Sequence, residues 1–211
     1  MTESISGPAY RILTPRLCLR CWSPQDAPAL KAAVDASREH LKPWMPWAQA
    51  ETSLEAHLKR LRGERAKFDL DQDFTYAILS RDESQILGST GLHTRLGEKA
   101  REIGYWIHVD HLGRGYASEA AMALTQVAFR VEGVDRVEIH CDPQNAASAA
   151  IPRKLGYTHE ATLQRRSHWP DGTVLDCMVW SLFASDFPNS PSARLEIQAF
   201  GAIGREIPIE G

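Results

Sequence analysis

Residues Tyr105 to Ala120, YWIHVDHLGRGYASEA, pass from an apolar strand-like segment through a glycine-spaced turn directly into an alanine-rich stretch of helical character. A strand, a tight turn and a helix in immediate succession belong to a layered α/β architecture, and no other feature narrows the fold as much. Gly113 and Gly115 admit backbone conformations that other residues resist, and they leave no Cβ between the turn and a ligand. Consecutive free N–H groups then collect at the positive end of a helix dipole, a place suited to a pyrophosphate. No Gly-Lys-Ser/Thr follows and no G-x-G-x-x-G occurs, so the segment is neither a P-loop nor a dinucleotide fingerprint. On spacing alone it reads equally well as an anion cradle or as an ordinary strand-to-helix turn.

The 211 residues suffice for one sizeable core. We read residues 1–11 as a loose leader, 12–187 as one domain, and 188–211 as an extension beginning at Pro188-Asn189-Ser190-Pro191-Ser192. This last part is an added strand pairing at an edge or with another subunit, or simply a tail. A net charge of −3 gives no global reason to expect nucleic-acid binding. No apolar run approaches a membrane span, and Met1-Thr2-Glu3-Ser4 does not open a secretory signal, so a cytoplasmic location is expected. Cys18 and Cys21 form a C-x-x-C inside an expected strand, where residues three apart point to opposite faces, which argues against a zinc or redox pair. The eight histidines lack ligand spacing, and no metal is expected.

The periodicity predicts a strand over Leu17–Trp22 and a helix opened by Ser23-Pro24-Gln25-Asp26, with Ala27, Leu30 and Val34 on its apolar face. A second helix carries Leu54, Leu58, Leu61 and Phe68. Strands follow at 74–79, 85–93 and 101–109, the first two forming a hairpin, then a helix from Tyr116 to about Val131 stopped by Gly133. A strand at 136–141, a helix at 145–155, and strands near 157–163 and 174–182 complete the order.

Four further motifs surround the glycine turn: Thr14-Pro15-Arg16-Leu17-Cys18-Leu19-Arg20, Glu102-Ile103-Gly104-Tyr105-Trp106, Asp142-Pro143-Gln144-Asn145-Ala146-Ala147-Ser148 and Arg153-Lys154-Leu155-Gly156-Tyr157. Pro43-Trp44-Met45-Pro46-Trp47 adds a tryptophan pair. Over residues 12 to 186 this set resembles the GNAT acetyltransferase superfamily, in its branch like the RimJ/RimL ribosomal-protein N-acetyltransferases. The resemblance implies an α/β fold with a mixed, mostly antiparallel central sheet, splayed between two parallel strands and flanked by helices. It implies acetyl-CoA as acyl donor, lying between the strand ending at Val109 and the strand ending at Cys141. The pyrophosphate would rest on amides from Leu112 to Ala117. The cofactor-binding candidates are therefore Trp106, Ile107, His108, Leu112, Gly113, Arg114, Gly115, Tyr116, Ala117 and Asn145. Arg114 either bonds a phosphate or faces solvent. Leu112 departs from the glutamine or arginine common in the wider superfamily.

Glu102 is the general-base candidate, because it shares a strand face with Trp106 and burial there would raise its pKa. The alternative is a strand-edge carboxylate paired with Arg101 or Arg136. His140 either assists proton removal, since histidine ordinarily titrates near neutrality, or is structural. Asn145 is a good helix N-cap, and in the resemblance the matching residue lies beside the CoA arm. Ser148 matches a serine placed near the sulfur, where it would protonate the departing thiolate. Many superfamily members carry an acid tyrosine where this chain has Pro152, and that proline deprives the Ser148 carbonyl of its helical N–H partner and should kink the helix. Trp44, Met45 and Trp47 either line the acceptor pocket, with residues 165–172 closing its other side, or form a hydrophobic staple under the loop. Cys141 reads as core.

The expected reaction is direct transfer in a ternary complex to a primary amine, by resemblance the N-terminal α-amino group of a protein or peptide. A strand N–H near Trp106 or Ile107 would stabilise the oxyanion. The alternatives are a small-molecule amine such as an antibiotic or polyamine, a longer acyl donor, or a non-catalytic acyl-CoA-binding module. The chain is expected as a monomer or homodimer.

Overall fold

In the computed structural model, residues 7–169 and 171–209 are described. The chain opens with β1 (Arg11–Leu13) and β2 (Leu17–Cys21), then α1 (Ala27–Leu41) and α2 (Leu54–Asp69). Next come β3 (Phe74–Ser80), β4 (Ile86–His93), β5 (Ala100–Ile107), α3 (Tyr116–Arg130), β6 (Arg136–Cys141) and α4 (Ala146–Lys154). β7 (Thr158–His168), β8 (Val174–Phe183), β9 (Gln198–Phe200) and β10 (Glu206–Ile207) end the molecule. The ten strands form one sheet in the order β10-β9-β1-β2-β3-β4-β5-β6-β8-β7. Every adjacent pair is antiparallel except β5 and β6.

Strand alternation distributes side chains between two cores. Leu17, Leu19 and Cys21 pack with Ala120, Leu124 and Val127 of α3, whereas Cys18 and Trp22 pack with Leu30 and Val34 of α1 and Leu61 of α2. The two cysteines of the C-x-x-C thus lie in different cores, and all four cysteines are buried and free. At the α1 entry, Ser23 and Asp26 form a reciprocal capping box around a short 3₁₀ turn containing Pro24. The stripe expected on α2 is shifted: Leu54 and Leu58 are exposed, and His57 is buried beside Leu61 and Phe68. Positions 57, 61, 64 and 68 are also helically spaced, and the neighbouring packing selects that stripe.

The two terminal segments bear differently on the sequence expectation. Ala9 is fully buried and Arg11 already belongs to β1, so part of the segment read as a leader belongs to the fold; residues 1–6 lie outside the described residues. At the other end the added strand pairs at an edge: β9 lies antiparallel on β1 and β10 on β9. β7 runs to His168, five residues beyond its expected end, because β8 pairs with it as far as Val174. Among the described residues no helix is long and apolar enough to cross a membrane.

Candidate active site

The parallel pairing of β5 with β6 covers only Ala100↔Arg136, Arg101↔Val137 and Glu102↔Glu138. Beyond Glu102 the strands part, and β5 continues to Ile107 with one edge open. The His108 N–H donates to the Leu87 carbonyl on β4 at 2.8 Å. By the two-residue alternation of an antiparallel strand, Trp106 also bonds towards β4, while the N–H groups of Tyr105 and Ile107 face the gap. Of the two oxyanion donors anticipated, Ile107 has the appropriate direction and Trp106 does not.

The chain then turns into α3. Gly113 and Gly115 adopt φ of 72° and 79°, and Gly115 occupies the N-cap without a side-chain bond, so the first helical N–H groups are free for a ligand. The Thr14-Pro15-Arg16 segment braces this turn. Buried Glu119, in the first turn of α3, accepts from Thr14 Oγ1 at 2.6 Å, Arg16 N at 3.0 Å and Arg16 Nε at 2.6 Å. Arg16 Nη1 also donates to the Arg114 carbonyl at 2.9 Å, and its guanidinium lies 4.9 Å from the Tyr116 ring centroid. Thus two motifs a hundred residues apart form one support.

A cavity of about 570 Å³ joins the cradle to the open edge of β5 and to the end of α1. Its walls include Trp44, Met45, Trp106, Ile107, Leu112, Gly113, Gly115, Tyr116, Ala117, Asn145 and Ser148 from the sequence reading. His40, His111, Tyr105 and Ile151 are among the further walls, and the sequence reading had not anticipated them. Tyr105 was discernible in principle, since strand parity sets it opposite Trp106. Arg114 is exposed, with Nη2 donating to the Asp110 carbonyl at 2.9 Å, and lies outside these walls. His108 also lies outside, its Nδ1 accepting from the Asp110 N–H at 3.1 Å. Trp47 leans on Trp106, ring centroids 6.1 Å apart, under the Arg60 guanidinium.

Asn145 caps α4 by accepting from the Ser148 N–H at 3.0 Å, and it lines the cavity as well. α4 runs on through Pro152 to Lys154. The Ser148 carbonyl, which Pro152 cannot serve, meets the Tyr105 hydroxyl at 3.3 Å, and Ser148 Oγ lies 3.3 Å from the same hydroxyl. Burial pushes the Tyr105 phenol well up, so it remains protonated and able to donate.

Glu102 and His140 stand outside the cavity walls, at the base of the parted strands. Glu102 is buried, but its pKa is lowered rather than raised. Burial alone would raise it; the hydrogen bond from Arg95 and the nearby charges of His140, Arg95 and His93 outweigh that effect. The partner is Arg95 from the preceding loop, with Nε 2.7 Å from Oε2. Arg101 instead pairs with Glu132, and Arg136 with Glu138. His140 has Nε2 2.6 Å from Glu138 and Nδ1 3.6 Å from Glu102. On the same side, His93 Nδ1 lies 3.0 Å from both oxygens of Asp73, an arrangement no sequence motif announced. Among the described residues no cluster of three His, Cys, Asp or Glu is placed to hold a metal ion.

Comparison with known proteins gives this geometry a family. The N-acetyltransferase YoaA of Bacillus subtilis (strain 168), described as uncharacterized, is 29% identical over 171 residues, covering 80% of this chain and 94% of that protein. The solved structure of RimL, a ribosomal L7/L12 α-N-protein acetyltransferase in complex with coenzyme A, superposes with a TM-score of 0.73 at 24% identity, over 81% of this chain and 96% of that one. The microcin C7 self-immunity acetyltransferase MccE, in complex with acetyl-CoA and AMP, gives 0.74 at 19% identity, over 80% and 93%. Both superpositions establish a common fold. Residues 16–158, more than half of the sequence, match the acetyltransferase (GNAT) domain, and the chain belongs to the GNAT acetyltransferase family.

Proposed function

We propose that this protein transfers an acetyl group from acetyl-CoA to a primary amine, the N-terminal α-amino group of a protein or peptide, by direct attack in a ternary complex. The observation that carries the proposal is the continuous cavity from the glycine cradle, along the open edge of β5, to the α1–α2 loop. A phosphate-bearing donor suits the glycine-cradle end, where backbone amides and a helix terminus gather; the helix-end charge contributes about 0.3–1 kcal/mol and direct N–H bonds the rest. Ile107 and Tyr105 offer backbone N–H groups towards the gap, the donor type an oxyanion needs. Ser148 meets the departing sulfur, and Asn145 holds the start of α4 beside it. Glu102, ionised by its Arg95 partner, supplies negative charge that attracts an ammonium, and His140 stands between it and Glu138. RimL, whose acceptor is a ribosomal protein N-terminus, supports the choice of acceptor class.

The test is CoA release from acetyl-CoA, followed by mass spectrometry, across N-terminal peptides and small amines. Peptide-dependent release is expected. Release with small amines alone would replace the acceptor class, and acetyl-CoA binding without turnover of any amine would make the chain a binding module.

A further inference from the structure

The carboxylate best placed by sequence to remove the acceptor's proton is tied to Arg95, which makes it a weaker base. The β4 terminus offers another. His93 ends β4, and its Nδ1 faces both oxygens of Asp73, the residue just before β3, at 3.0 Å. An ionised carboxylate only accepts hydrogen bonds, so Nδ1 carries the hydrogen, and in the neutral ring the lone pair is then on Nε2. The ring lies over Gly91 and Gly104, which face each other in the β4–β5 register. A Cβ on Gly91 would sit 2.5 Å from His93 Nε2 and displace the ring, whereas one on Gly104 would make an ordinary contact with it at 3.5 Å. Gly104 belongs to the strand face of Glu102 and Trp106, and Trp106 forms the cavity wall two residues further along. His93 is not itself a wall of the cavity, but its side chain is partly exposed, 20% accessible.

We propose that the Asp73–His93 pair is the general base of the transfer: His93 Nε2 takes the acceptor's proton, and Asp73 fixes the tautomer and ring orientation. The proposal rests on the acetyltransferase reading above. In balance, R–NH₃⁺ gives one proton to Nε2 and becomes R–NH₂, which attacks the thioester carbonyl. As the amide forms, the carbon–sulfur bond breaks, and the second nitrogen-bound proton ends on the CoA thiolate. The imidazolium returns its proton to solvent. Besides Asp73, the charged and titratable groups near this ring are Glu102 of β5 with its partner Arg95, His140 of β6, and Lys67 of α2 near Asp73. Glu102 is thereby assigned attraction of the ammonium rather than proton removal.

The experiment uses the full chain, acetyl-CoA and an amine that the parent protein acetylates. His93→Ala should lower kcat about a hundredfold or more while leaving the KM for acetyl-CoA unchanged, and added imidazole should restore part of the rate. The acid limb of the kcat/KM profile should disappear in this variant. Asp73→Asn should lower kcat with the fold intact, and Gly91→Ala, which displaces the ring without removing it, should do the same. Nitrogen-15 histidine spectra should report the Nδ1–H tautomer at position 93. A His93→Ala kcat within threefold of the parent, a loss that imidazole does not repair, or an Nε2–H tautomer overturns the proposal. If the parent turns over no amine, the acetyltransferase reading fails and this proposal fails with it; an active parent and an unaffected His93→Ala refute this proposal alone.

Discussion

Replacing Tyr105 with Phe removes one oxygen atom, and the structure states what that atom does. An α-helical carbonyl four residues before a proline has no N–H to accept, and in α4 that carbonyl belongs to Ser148. The Tyr105 hydroxyl donates to it at 3.3 Å and stands 3.3 Å from Ser148 Oγ, where either hydroxyl can be the donor. Both contacts are long for O–H···O bonds, which places their combined worth towards the lower part of the usual range, about 1 kcal/mol. In a chain of this size that is a fall in melting temperature of about 2–4 °C for Tyr105→Phe. The decisive comparison is the same substitution in a Pro152→Ala background, where residue 152 regains an N–H for the Ser148 carbonyl. There the cost should fall to less than half, and a denaturation double-mutant cycle reads the difference directly. Equal costs in both backgrounds would show that the hydroxyl does not stand in for the missing helical bond. In turnover, Tyr105→Phe should lower kcat severalfold in the parent and have little further effect once Ser148 is already Ala, because the hydroxyl orients that serine.

Glu119→Ala removes the acceptor shared by Thr14 and Arg16 and should cost about 2–3 kcal/mol by denaturation, with weaker acetyl-CoA binding by calorimetry as the cradle loosens. Gly115→Ala meets no backbone, its nearest neighbour being Arg16 Nη2 at 3.5 Å, but its left-handed φ of 79° should cost about 1 kcal/mol in stability and show more strongly in acetyl-CoA affinity. Burial alone would raise the Asp73 carboxyl, yet the hydrogen bond and charge of His93 hold it below its ordinary value. A depressed folded pKa stabilises the fold fully above the unfolded pKa, so the stability gap between parent and Asp73→Asn should shrink as pH falls through the carboxylate range and below; a gap widening under acid would reverse the assignment. Burial likewise pushes the Cys141 thiol up to about 11, so iodoacetamide at neutral pH should label it slowly in the folded protein and should not abolish turnover within minutes.

The parts of this molecule that were legible in the sequence share one property: their signal is local. The Ser23–Asp26 capping box and the Asn145 cap each complete their hydrogen bonds within a few residues, so the sequence contains the whole interaction, and the glycine turn shows in the local freedom of its two glycines although Thr14 and Arg16 brace it from far along the chain. Pro152 also announced an unserved carbonyl, but the donor that serves it comes from 43 residues away. Glu102 marks the boundary. Its strand face and burial followed from alternation, and those two facts pointed to a raised pKa; the direction was set instead by Arg95, which folds back from the loop and overcomes the burial penalty. Arg101 and Arg136 were nearer in expectation but are engaged by Glu132 and Glu138. Burial and pairing act on a carboxylate with opposite sign, so an assignment of acid–base roles that knows only the first can have the wrong direction. The same reasoning explains why His93 was silent: what qualifies it is an aspartate twenty residues earlier and a glycine, Gly91, whose missing Cβ matters only once the imidazole lies over it. Proton transfer in this site is therefore decided by cross-strand neighbours, and substitutions that change those neighbours without touching a motif residue, Gly91→Ala foremost, are where the proposed chemistry is most exposed to refutation.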